Sequence, residues 1–85
     1  RNISSLKDIY EAETNPQMAQ VIAKDLNISI ETARQLHLNM LIYTIGLGTI
    51  FSVSSPGIPI DEILWQQDQA HQAFLNDALR KRDGK

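Results

Sequence analysis

The stretch ISIETARQLHLNMLIYTIGLGTIFSVSS, residues 28–55, decides the fold. Ser29 followed by Glu31 reads as a helix start, because a hydroxyl can accept from free N–H groups and an acid suits the positive helix end. The cluster Ser54-Ser55-Pro56-Gly57 cannot continue a helix and ends it. Between these limits Leu36, Met40, Tyr43, Leu47 and Ile50 recur at alternating spacings of four and three, which aligns them on one helical stripe. Leu38, Leu41, Ile42 and Ile45 form a second stripe beside it. A helix apolar on most of its circumference must be covered from two sides. One of those covers is expected to come from another chain.

Upstream, Ile3, Leu6, Ile9 and Tyr10 suggest one or two amphipathic turns within residues 3–13. Asn15-Pro16 is a clear start signal, with asparagine as cap and proline where its missing N–H costs nothing. Met18, Val21, Ile22 and Leu26 give the helix that follows one apolar face, and Asn27 fits a left-handed C-cap. Downstream, Pro59 opens a last helix to about residue 82, with Asp61 and Glu62 in its first turn and Arg80, Lys81 and Arg82 in its last. That order of charge suits the helix dipole. Its inward face reads as Ile60, Ile63, Leu64, Ala70, Phe74, Leu75 and Ala78. No strand pattern and no repeat interrupts this all-α reading. Two long helices, at about 29–55 and 59–82, joined by a Pro/Gly loop form an antiparallel hairpin. They need more apolar cover than the two short helices supply, so two hairpins related by a twofold axis are expected to close a four-helix bundle in a homodimer.

Eighty-five residues make one small domain, 1–85, near the size at which a single core is marginal. An apolar share of 42% with 21% charged residues excludes a disordered tail. The absence of cysteine excludes disulfides and thiolate metal sites and fits a reducing, cytoplasmic setting. A net charge of −2 is a poor start for gripping phosphates. No signal peptide is read, and the chain begins with Arg1 rather than methionine, so it reads as a piece of a longer protein. The apolar run from Leu38 to Val53 is interrupted by Asn39, Thr44, Thr49 and Ser52 and falls short of the roughly 20 residues a bilayer requires. The reading is therefore a buried core helix and no membrane partner.

Met18–Leu36 has the small and apolar spacing of a helix-turn-helix, but its second helix carries only Arg34 as a base and runs on into the most apolar part of the chain. Gly46 and Gly48 lie in mid-helix rather than between a strand and a helix, which is wrong for a phosphate loop. Each costs about 1 kcal/mol of helix propensity relative to alanine. Close helix crossing, or space for a ligand beside the helix, would compensate. His37 and His71 lack the ligand spacings of a metal site, and no nucleophile or paired carboxylate stands on an apolar face. The reading is a non-enzyme with no cofactor. Met18, Ile22, Met40, Tyr43, Thr44, Phe51 and Trp65 could line an apolar ligand pocket, although such residues are equally ordinary core.

The order of features carries more than any one of them. NISIETARQL leading into LNMLIYTIGLGTIF, then a Pro/Gly loop and IDEILWQQDQAHQAFL, resembles the C-terminal regulatory half of TetR-family transcriptional repressors over about residues 15–79. Ser29-Ile30-Glu31-Thr32-Ala33 matches the family's cap, and residues 42–48 match its long-helix phrase, with Ile45 where a histidine is frequent. His37 does not occupy that place and inherits no role. The resemblance implies a bacterial, ligand-responsive repressor in which the last two helices form the dimer interface, here through Leu47, Ile50, Ile63, Leu64, Ala70, Phe74 and Ala78. It also implies a small apolar effector, part of whose pocket lies outside this chain, and DNA contact only through an N-terminal domain that this chain lacks. Two other readings stand beside it. One is a stand-alone helical interaction domain whose groove takes a partner helix, and the other is a small helix-turn-helix DNA-binding protein.

Overall fold

A computed structural model of the chain describes residues 3–54 and 57–84, except for the side chain of Glu13. The fold is all-α: α1 (Leu6–Glu13), α2 (Pro16–Leu26), α3 (Ile30–Val53) and α4 (Ile60–Arg82). Ser55 and Pro56 of the expected helix break lie outside the described residues.

Local chemistry sets these limits. Asn15 Oδ1 accepts from the Gln17 N–H at 2.9 Å, with Pro16 at the first helical position. Asn27 stops α2 in the left-handed conformation, φ 54° and ψ 50°, with its N–H on the Ala23 and Lys24 carbonyls. Two residues later Ser29 Oγ accepts from the Thr32 N–H at 3.0 Å and starts α3. Ser5 caps α1 in the same way through the Asp8 N–H, a start signal not read from the sequence. Helix α4 has no side-chain cap. The Pro59 carbonyl receives its first N–H groups instead, so the proline stands just before the helix rather than in its first turn.

Helices α3 and α4 run antiparallel, tied midway by Gln66 to the Tyr43 hydroxyl (3.0 Å) and Gln67 to Thr44 (2.9 Å). The enclosed core sits at one end of this hairpin. Ile28, Ala33, Leu36 and Ala78 are buried there, with Ile22, Ala23, Leu26, Met40 and Phe74 packed around them. Ala19, Ala33 and Ala78 are almost wholly buried. Arg82 reaches across to donate to the Leu26 carbonyl at 3.1 Å, so α4 caps the C-terminus of α2.

Helix α1 is held mainly by Tyr10, which is 5% exposed. Its hydroxyl lies 2.9 Å from His37 Nδ1, its ring meets the imidazole edge-on, and the Arg34 guanidinium stands 5.5 Å from the ring centroid. Arg34 also pairs with Glu11.

The other end of the hairpin is not enclosed. Ile42, Ile45, Ile50, Phe51 and Val53 of α3 and Ile60, Leu64 and Trp65 of α4 are all exposed. This corrects the inward face read for α4: Ala78 is buried and Ile63, Ala70, Phe74 and Leu75 are half-buried, but Ile60 and Leu64 face solvent. The second stripe on α3 divides similarly, with Leu38 and Leu41 half-buried and Ile42 and Ile45 open. The radius of gyration is 14.7 Å, against about 12 Å expected for a compact chain of this length.

Candidate functional site: the open half of the α3–α4 hairpin

With about 100° between successive residues, α3 presents two different edges beside its contact with α4. Ile42, Gly46 and Ile50 follow one edge. Met40, Thr44 and Phe51 follow the other, the side on which α1 and α2 pack. Along the first edge runs an apolar groove of about 280 Å³ lined by Ile42, Tyr43, Gly46, Leu47 and Ile50. The Tyr43 hydroxyl is already engaged by Gln66, and its ring meets Phe74 edge-on with centroids 6.1 Å apart. The groove therefore offers shape and apolar surface rather than free polar groups.

The interruptions in the apolar run are muted by the helix itself. Thr49 Oγ1 donates to the Ile45 carbonyl and Ser52 Oγ to the Gly48 carbonyl, each at 2.9 Å. No Asp, Glu, Lys or Arg occurs between Arg34 and Asp61. Helix α3 is 24 residues long, and by length and composition it could cross a membrane. The sequence reading against a span rests on the shorter run from Leu38 to Val53 and on its four polar interruptions, whereas the helix itself extends from Ile30 to Val53.

The glycines behave differently from the simpler expectation. A Cβ added at Gly46 or Gly48 would meet nothing within 4 Å, so neither glycine serves a close helix crossing inside this chain. The expected interface residues also separate. Ala78 is buried in the chain's own core and Phe74 packs against it; Leu47, Ile63 and Ala70 are half-buried; Ile50 and Leu64 are open. Ala78 is therefore not a surface that a second chain can reach.

The expected pocket residues are not gathered into one cavity. Ile22 and Met40 pack against the core, and Tyr43 lines the groove on the first edge. Thr44 is exposed and bonded to Gln67, and Met18 and Phe51 are exposed. Ile63, Ala70 and Phe74 turn toward α3, which carries Trp65 round to the far side of α4, where it is 61% exposed. A second depression, between Gln35, Asn39, Asp77 and Lys81, has only about 10 Å³ of space, room for no more than a water molecule.

His37 is bound to Tyr10, whereas His71 Nε2 is buried with no hydrogen-bond partner among the described residues. Among those residues no group of three His, Asp or Glu side chains converges on a metal-sized point. Comparison with family models, with curated proteins and with solved structures finds no match.

The largest physical anomaly is the surface itself. The chain exposes 6167 Å². A folded monomer of 9.6 kDa is expected to expose about 5,100 Å². The excess, about 1,000 Å², is close to one partner's share of a standard protein–protein interface, about 800 Å².

Proposed function

We propose that this chain is a non-enzymatic regulatory and self-association module in which two copies close a bundle around the open half of the α3–α4 hairpin. The observation that carries the reading is the set of exposed large apolar residues at that end of the hairpin, Ile42, Ile45, Ile50, Phe51 and Val53 on α3 with Ile60, Leu64 and Trp65 on α4. Exposed apolar area of this kind marks interaction sites, because water leaves it readily. The more specific form of the proposal follows the resemblance to the regulatory half of TetR-like repressors. The Ile42–Ile50 edge of α3 then takes the second copy. The Met40–Phe51 edge, bordered by α2, faces a small apolar effector. An effector that prefers one packing of α2 on α3 shifts the population of dimer geometries, and so the spacing of DNA-binding heads carried elsewhere in the protein.

The deciding measurement is mass in solution by light scattering after gel filtration, over a range of concentrations. A dimer near twice the 9.6 kDa chain mass supports the module. A folded monomer at every concentration removes it. For the effector, a thermal-shift screen of small apolar compounds is expected to raise the melting temperature through mass action. An open groove for a partner helix predicts no such shifts.

The length and apolar character of α3 favour one competing reading, insertion of the hairpin tip into lipid. Flotation with neutral vesicles tests it directly. Against it stand the three acids Asp61, Glu62 and Asp68, uncompensated by any base in the first half of α4.

A further inference from the structure

We infer that the second copy seats in the groove at Gly46, so that the α3 helices of the two copies cross at that residue. This rests on the self-association reading above and adds where the contact lies. Glycine is the poorest helix former after proline, and here it sits in the middle of a 24-residue helix. Nothing inside the chain requires it, because a Cβ at Gly46 would meet no atom within 4 Å. A neighbour from outside does. Gly46 lines the apolar groove together with Ile42, Tyr43, Leu47 and Ile50.

Two observations favour another copy of this chain as the occupant. The excess exposed surface is about what one protomer contributes to a standard interface. The ridge is also self-complementary. Ile42 and Ile50 lie four residues to either side of Gly46, so a twofold axis through Gly46 sets Ile42 of each copy against Ile50 of the other. Gly48 is equally open but lies outside the groove, which makes it an internal control.

The test uses the 85-residue chain and compares Gly46→Leu with Gly48→Leu in sedimentation equilibrium. Each substitution places a side chain where the free chain has room, so both proteins remain helical by circular dichroism. Gly46→Leu is expected to raise the dimer dissociation constant at least tenfold, and Gly48→Leu to leave it within about threefold. Because the chain has no cysteine, Gly46→Cys reports proximity without background. Oxidation is expected to give a disulfide-linked dimer, whereas Trp65→Cys, on the far side of α4, stays monomeric on a denaturing gel.

A parent dimer that tolerates Gly46→Leu, or that cross-links through residue 65 instead of 46, overturns the crossing point while leaving self-association intact. A parent chain that is monomeric at every concentration overturns both. If it then floats with neutral vesicles, lipid is the occupant of the groove.

Discussion

The two halves of the α3–α4 hairpin are built from similar residues and end in opposite conditions. Around Leu36 the helix is flanked by α2 on one side and the last turns of α4 on another, and Ala33 and Ala78 are buried with it in one cluster. Around Gly46 the same helix is at least as apolar but has only α4 beside it, and Val53 is 77% exposed. Apolar content therefore does not decide burial here. The number of neighbouring elements does, and the chain provides enough of them for one half only. The enclosed half holds the fold together, and the open half is free to act on something else.

The sharpest way to break this contrast is to place the same charge in both halves. Leu36→Asp buries a carboxylate with no partner and is expected to cost more than about 4 kcal/mol, unfolding the chain as read by loss of helical circular dichroism. Ile50→Asp is expected to keep the helical signal and to abolish self-association in light scattering. If Ile50→Asp unfolds the chain as well, the open half is part of the folding core and the contrast is wrong.

Smaller changes sharpen it. Ser29→Ala removes the cap of α3 and should cost about 1 kcal/mol in denaturant unfolding, all of it from the enclosed end. Tyr10→Phe removes the hydroxyl bonded to His37 and should cost a similar amount, about 1 kcal/mol, by releasing α1. Hydrogen exchange should then speed up in α1 while the α3–α4 contact is unchanged.

The smallest expected effect is electrostatic and confined to α1. Hydrogen bonds from the Ser4 backbone N–H and hydroxyl hold the Asp8 carboxyl below its ordinary value. A depressed folded value means that this contribution is present in full above the ordinary aspartate range and is lost as pH falls through the folded value. Asp8→Asn should remove that acid-range component from the fraying of α1 and leave the mass of the assembly unchanged.

How much could be read in advance follows from how far each interaction reaches. Asn15, Asn27 and Ser29 do what their positions predict, because a cap bonds to N–H or C=O groups only a few residues away. Ile60 and Leu64 read as inward in the sequence because their spacing matches that of Ile63 and Phe74 closely enough to share a broad apolar face, yet both are exposed. Periodicity names a face but not what stands opposite it. The pocket residues scattered for a related reason: Met18, Phe51 and Trp65 are each plausible lining, but three different helices aim them in three directions. Gly46 could be noticed in the sequence as a cost with two rival explanations, a close helix crossing or space for a ligand. Its place in the lining of an open groove could not.

The sequence by itself determined the helices, the caps at Asn15, Asn27 and Ser29, the antiparallel hairpin and the all-α class, since these depend on backbone chemistry and on apolar spacing within a few turns. Tertiary structure alone decided which half of the hairpin is enclosed, that Ala78 belongs to the inner core, and that Gly46 faces open space. Those outcomes depend on how few elements surround α3 and on where along it they pack. That is a matter of three-dimensional crowding, which no single stretch of residues encodes.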